Sequence, residues 1–264
     1  MHKLPFSISV PKSEFPLHTV HADLWGPAPI QSYNGFRFYH VIVDDYTKFC
    51  WVYLLKNKSD TFTTFQQFKV MAEKHYNSSI HFLRTDCGGE FTSTTFNSYC
   101  ANSGIIYHLT CPHTPQQNGV AERKHRHLIQ VTLALLSQSG LSLSYWSYAI
   151  ATACHLINKL PTPLLNMSSP WEQLHHVKPD ISYLRTFGCK CFPLLTPYNT
   201  HKLQPKTTSC IFLGYPPTTK GYLCQDPITK RLYTSRHVVF NETEFPACEN
   251  TAQIPTPDPQ SYSP

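Results

Sequence analysis

Hydrophobic and polar positions along this chain repeat with two periods. Residues 17–24 alternate singly until the run breaks at Trp25-Gly26-Pro27, the pattern of a half-buried strand entering a turn. Residues 37–43 and 49–55 are rich in aromatic and β-branched side chains around a short polar connection, which predicts an antiparallel hairpin. At 59–76 the spacing becomes helical, with Phe62, Phe65, Lys69 and Ala72 on one face and Ser59 in the capping position. A strand at 80–85, a short helix at 94–102 ending at Gly104, and a strand at 105–109 follow. The longest element is a proline-free helix over 118–140, with Asn118 as its cap and Gly140 as its end. At about 100° per residue, Ile129, Leu133 and Leu136 fall within roughly 40° of Glu122, so this carboxylate is expected on the core-facing stripe. Another helix is predicted at 144–159, burying Tyr145, Trp146, Ile150, Ala153 and Ile157. Beyond Phe187 the pattern turns to short β runs at 189–195, 209–215, 221–225 and 231–240, separated by Pro, Gly, Asn and Asp turns.

Three strands, helix, strand, helix, strand and a long helix is the order of an α/β, ribonuclease-H-like fold, a five-stranded mixed sheet with flanking helices. The later β runs predict a small basic β-barrel domain after it. The expected divisions are an extended lead-in at 1–16, the α/β core at 17–177, the barrel at 178–245 and a proline-rich tail at 246–264. Alternating strands and helices force parallel pairing, and functional groups gather outside the carboxyl ends of parallel strands. Asp23 and Asp86 occupy such ends, and a helix packed on the sheet can bring Glu122 to them. Three converging carboxylates repel one another without a cation, and hard oxygen ligands favour Mg²⁺ or Mn²⁺.

Charge and cysteine usage refine this reading. The formal net charge is +6 with 15 His counted neutral, which favours an acidic partner modestly. The 10 Cys include no C-x-x-C pair and are expected as reduced, mostly buried thiols, with Cys189 and Cys191 packing on alternate positions of one strand. No run approaches the ~18 apolar residues of a membrane span, and the start has no apolar leader, so an intracellular protein without membrane attachment is expected. Asp44-Asp45 imitates a polymerase aspartate pair, but a hairpin partner of the first strand would set it ~15 Å along from Asp23. Glu90, in the glycine turn after Asp86, is assigned to local hydrogen bonding, with a place as third carboxylate the alternative. His21 is assigned to its strand, close enough to hydrogen-bond near the acids.

Three motifs then carry a resemblance: His-Ala-Asp-Leu-Trp-Gly-Pro at 21–27, Arg-Thr-Asp-Cys-Gly-Gly-Glu-Phe at 84–91 and Thr-Pro-Gln-Gln-Asn-Gly-Val-Ala-Glu-Arg-Lys at 114–124. Together with the 35 residues between Asp86 and Glu122, Leu-Arg-Thr-Phe-Gly-Cys at 184–189, and Lys-Leu-Gln-Pro-Lys to Phe-Leu-Gly-Tyr within 202–215, they resemble the integrases of copia-type retrotransposons. The resemblance implies a metal-dependent polynucleotidyl transferase, cut from a Pol polyprotein, that processes DNA 3′ ends and joins them to target DNA. Asp23, Asp86 and Glu122 are then its catalytic and metal-binding triad, holding two Mg²⁺ or Mn²⁺ ions about 3.5–4 Å apart that activate the attacking oxygen and stabilise the leaving one. Gln116, Gln117 and Asn118, on the approach to the helix, are expected at the DNA near the reacting phosphate, and Arg123, Lys124 and Arg126 at phosphates. Lys202, Lys206, Lys220, Lys230, Arg231 and Arg236 make the barrel basic, and Lys202, Lys206, Lys230 and Arg231 are its expected DNA contacts. The implied partners are element ends, target DNA and further copies of the chain, the implied compartment is the nucleus, and no zinc is expected in this segment. Cys87 and His125 stand where the family usually has Asn, which alters hydrogen bonding around the acids. The alternative reading is a non-catalytic DNA-binding remnant of a truncated polyprotein.

Overall fold

The computed structural model describes residues 13–109, 119–199 and 201–251. Its first sheet contains β1 (Thr19–Trp25), β2 (Phe38–Asp44), β3 (Cys50–Leu55), β4 (Phe82–Thr85) and β5 (Ile106–Leu109), ordered β3-β2-β1-β4-β5. The hairpin strands pair antiparallel, whereas β4 joins β1 and β5 in parallel. Parallel neighbours need a crossover, and α1 (Asp60–Tyr76) and α2 (Thr94–Asn102) supply the two connections. α1 buries Thr61, Thr64, Phe65, Phe68 and Ala72. Phe65, Phe68 and Ala72 enter an apolar cluster with Val20, Ala22, Ile42, Leu83, Phe91, Phe96 and Cys100. This is the predicted mixed sheet with flanking helices.

Local capping differs from expectation at α1. Ser59 already has helical dihedrals and makes no side-chain cap bond; the Asp60 carboxylate instead accepts from the Asn57 amide at 3.1 Å. At α2, Ser93 accepts from the Phe96 amide as an N-cap does. The hairpin turn is built on Asp44, fully buried, whose carboxylate accepts from the amides of Leu17 and Thr47, each at 2.9 Å, and from the Thr47 hydroxyl. Asp44 lies opposite Val20 and Asp23 opposite Val41, so three strand positions, about 10 Å, separate the two acids rather than ~15 Å. The pair remains a turn device.

The chain divides into two compact units, the first within 1–29, 37–126 and 157–179 and the second within 30–36, 127–156 and 180–264. The long helix α3 (Gly119–Ser139) begins in the first and continues in the second. Asn118, its expected cap, lies outside the described residues, while Gly140 ends the helix at φ +66° as expected. Its buried positions are Ala121, His125, Leu128, Thr132, Leu136 and Ser139, and Leu133 is 50% exposed. The buried stripe is therefore turned by roughly 80° from the one that the large aliphatic residues suggest, and Glu122 is exposed. Small and polar residues, invisible to a hydrophobic count, occupy the covered face.

The first unit also contains α5 (Pro170–His175), which the hydrophobic pattern does not reveal because it is a single short turn-and-a-half started by the Ser169 cap and Pro170. The second unit contains α4 (Trp146–Ile157) and an antiparallel sheet of β6 (Lys190–Pro193), β7 (Cys210–Gly214), β8 (Tyr222–Gln225), β9 (Leu232–Ser235) and β10 (Val238–Asn241), ordered β10-β6-β7-β8-β9. The single run expected at 231–240 is two strands, broken at Arg236-His237, because β10 leaves β9 and pairs with β6. Cys189, Cys191, Cys210 and Cys224 are fully buried in this sheet's core as free thiols. Gly188 has φ +80°, and a Cβ there would meet the Ser139 side chain at 2.1 Å. A short helix, α6 (Pro246–Thr251), ends the described chain. No helix among the described residues is long and apolar enough to cross a membrane.

Asn158 tests the edge of the first sheet. Its side chain accepts from the Cys50 amide at 2.9 Å and donates to the Cys50 carbonyl at 2.7 Å, holding β3 from a position 4% exposed. Asn158→Ala strips both buried backbone groups of that partner and is expected to cost about 2–4 kcal/mol. Urea unfolding reads the loss, and an unchanged midpoint would show that β3 does not depend on it.

Candidate active site

Parallel pairing of β1 with β4 decides which acids meet. His21 lies opposite Arg84, so continuing that register by two positions sets Asp86 beside Asp23 at the shared carboxyl ends of the strands. Parallel neighbours are about 4.8 Å apart across the sheet. Both carboxylates are partly buried. The Asp86 carboxyl is raised above the usual carboxylate range, chiefly by burial and further by the charges of Asp23 and Glu90. The Gly88 amide, donating to Oδ1 at 3.0 Å, and Lys58 oppose that shift. Two acids in this arrangement bear mutual repulsion that a cation relieves.

The start of α3 is tied to the same place by His125, a residue whose part hydrophobic periodicity misses. Its Nδ1 is 2.8 Å from the Tyr39 hydroxyl, and its Nε2 is 3.2 Å from Asp23 Oδ2, within ion-pair distance but off the line of a hydrogen bond. Tyr39 is fully buried and stacked on Trp25 with ring centroids 5.1 Å apart. Burial, then the charge of Asp23, pushes its hydroxyl pKa far up, so it stays protonated. His21 Nε2 lies 3.6 Å from Asp45, whose carboxyl is held well below the usual range by His21 and also by Lys48. His21 thus serves the hairpin turn. The signal for His125 in the sequence is its place in the 121, 125, 128, 132 series.

The other expected residues divide clearly. Glu122 is exposed on the first turn of α3, three residues before His125. Among the described residues, no group of three or more His, Cys, Asp or Glu side chains is close enough to hold a metal ion, so Asp23 and Asp86 are brought together and the full triad is not. Arg123 and Arg126 are exposed, whereas Lys124 is half-buried with Nζ 3.2 Å from the Lys48 carbonyl. Gln116, Gln117 and Asn118 lie outside the described residues. In the second unit Lys202, Lys206, Lys230 and Arg231 are all exposed, with the Arg231 guanidinium 5.3 Å from the Tyr233 ring centre. Glu90, assigned to local bonding, has a side chain only 6% exposed and pairs with Lys58 at 2.7 Å.

Comparison with known proteins supplies the family. Residues 14–115 match the integrase core domain and residues 189–253 the retroviral polymerase SH3-like domain, a small barrel-type module in keeping with the second sheet. The chain is 44% identical over 245 residues, 93% of its length, to the retrovirus-related Pol polyprotein from transposon RE2 of Arabidopsis thaliana. It is 37% identical over 243 residues, 92% of its length, to that from transposon TNT 1-94 of Nicotiana tabacum. It spans 17% and 18% of those polyproteins. Among solved structures, a chain of the simian T-cell lymphotropic virus intasome in complex with PP2A regulatory subunit B56 gamma shares the fold, with a TM-score of 0.52 and 16% identity over 91% of this chain and 84% of that one.

The raised Asp86 pKa has a measurable consequence without metal. A carboxyl whose folded-state pKa exceeds its unfolded value of ~3.9 stabilises the fold fully below that value and loses this contribution as pH rises through the folded value. Asp86→Asn carries no charge, so its stability relative to wild type should climb as pH rises from about 3.5 in chelator-treated buffer until the wild-type carboxyl has ionised in the folded state. Urea midpoints across that range measure the difference, and a gap independent of pH would contradict the assigned cause.

Proposed function

We propose, for a chain that belongs to the copia-type retrotransposon integrases, that its α/β unit is a metal-dependent polynucleotidyl transferase that processes the 3′ ends of element DNA and joins them to target DNA. The observation that carries this reading is the register of β1 and β4, which sets two partly buried carboxylates side by side at the ends of parallel strands, with α3 tied to one of them through His125. Integrase core domains typically use divalent metals. The two aspartates fit one, as hard oxygen ligands whose charges repel; Glu122, on the adjoining helix turn and not gathered with them in this structure, would be the third. Asp23, Asp86 and Glu122 would hold Mg²⁺ or Mn²⁺, and the bound cation supplies Lewis-acid polarisation of the scissile phosphate and a lowered pKa for the attacking hydroxyl.

The chain's own groups do the rest. Asp23 is held at Oδ1 by the Leu24 amide at 2.9 Å with His125 beside its Oδ2, and Asp86 is held at Oδ1 by the Gly88 amide, so both carboxylates have little conformational freedom. Arg123, Lys124 and Arg126 on α3 contact DNA phosphates, and Gln116, Gln117 and Asn118, on the approach to it, meet the DNA near the reacting phosphate. Lys202, Lys206, Lys230 and Arg231 add sequence-independent affinity from the second unit. The protein acts in the nucleus as part of an oligomer of this chain on element ends, released from a longer polyprotein.

The test is resolution of a branched DNA in a disintegration assay, which needs the core alone. Wild type should act in Mg²⁺ or Mn²⁺ and not with chelator, and Asp23→Asn and Glu122→Gln should fall below detection while DNA affinity persists. Glu122 is exposed, so Glu122→Gln should leave the unfolding midpoint in place. Wild-type protein that binds DNA but never cleaves it would support the non-catalytic remnant instead.

A further inference from the structure

Lys58 is an exposed cation joined through Glu90 to the loop that follows Asp86, and the chain fixes it from both ends. Its backbone sits in the turn that starts α1, where its carbonyl accepts from the Thr61 amide at 3.3 Å and the Thr61 hydroxyl at 2.8 Å, and the Asp60 carboxylate closes the turn on Asn57. Its Nζ meets Glu90 Oε2 at 2.7 Å. The Glu90 side chain is 6% exposed, yet that of Lys58 is 54% exposed, so the ammonium keeps an open side towards solvent. The Glu90 carboxylate lies over Gly88, where any Cβ would come within 2.7 Å of it, in the loop that also donates the Gly88 amide to Asp86. Backbone bonds from the Phe91 and Thr92 amides to the Gly88 carbonyl, at 2.9 and 3.1 Å, lock that loop. The charges of Lys58 and Glu90 both act on Asp86.

Pairing with Glu90 leaves the Lys58 ammonium 54% exposed, which spares it the cost of full desolvation and keeps it accessible. An ammonium has three donors, and one carboxylate oxygen leaves others for an anion arriving at the acids. From this geometry we infer that Lys58 is a DNA-phosphate contact at the catalytic centre, next to the scissile phosphate, and that Glu90 is the positioning residue that holds its ammonium there. The inference rests on the proposed polynucleotidyl transfer for its substrate, a DNA phosphodiester. It assigns Glu90 a role through Lys58, not a place among metal ligands.

The test is a cycle between the protein and the DNA. Branched DNA is prepared with a single neutral methylphosphonate at each phosphate around the junction in turn, and both disintegration kinetics and anisotropy binding are measured. On unmodified DNA, Lys58→Ala and the isosteric Lys58→Met should each weaken binding and raise KM about tenfold, the loss of one charge-assisted contact, and lower the salt slope by about 0.9. Lys58→Arg should recover most of this. At one methylphosphonate position the wild type should drop to the level of Lys58→Met, with no further loss in the variant. Glu90→Gln should fall between wild type and Lys58→Met, the double variant should be no worse than Lys58→Met, and the Mg²⁺-induced rise in Tm should persist in Glu90→Gln. Additive losses at every methylphosphonate position, or an unchanged salt slope in Lys58→Met, would overturn the contact. Loss of the Mg²⁺ shift in Glu90→Gln would overturn its positioning role and make it a metal ligand. If wild type binds but never cleaves, the transferase reading fails, while the binding cycle still decides the contact.

Discussion

Repulsion between Asp23 and Asp86 is the constraint around which the first unit is arranged. Parallel pairing fixes the two carboxylates next to each other, and burial of Asp86 makes its charge costly as well as crowded. In the protein alone the cost is reduced by a backbone amide on each acid, by His125 at Asp23 and by Lys58 near Asp86. None of these neutralises both. Held on strands that cannot separate without breaking the sheet, the two acids would spend none of a divalent ion's binding energy on being brought together, which is what the proposed metal site requires.

Rigidity around the acids comes from groups that do no chemistry. Tyr39 sits inside the sheet with its hydroxyl held protonated, and through His125 it couples β2 to the first turns of α3. Thr85 and Tyr107, 2.6 Å apart through their hydroxyls, bind the end of β4 to β5, and the Tyr107 hydroxyl donates on to the Phe91 carbonyl. The loop that follows Asp86 is thereby fastened at its far side. Such support holds the acids and the loop after them in fixed positions. Glu122 is the exception, exposed on its helix turn and without such support.

The strand order, the crossovers and the two aspartates were legible because each rests on a strong local signal: β-branched runs, turn residues and acids directly following apolar strands. The covered face of α3 was not. Ala121, His125, Thr132 and Ser139 line it, and a count of large aliphatic residues puts weight on Leu133, which is half exposed. The split of 231–240 into β9 and β10 was hidden because a strand that changes partner need not contain a proline or glycine. Tyr39 and Lys58 escaped, whereas His125 was singled out only through the resemblance and Glu90 only as a local turn residue; the contacts of all four join residues far apart in sequence, and periodicity records only the neighbourhood of each residue.

The central proposal is that Asp23 and Asp86 form one cation site, in which a divalent ion relieves the repulsion between them. Isothermal titration of chelator-treated protein with Mn²⁺ and Mg²⁺ addresses it directly, without DNA or turnover. Wild type should bind, and Asp23→Asn and Asp86→Asn should each lose at least about tenfold in affinity, with the double variant showing no binding heat beyond that of dilution. Equal affinity in wild type and both single variants would contradict the account, because the ion would then be held elsewhere and the crowding of the two carboxylates would have no cation to explain it.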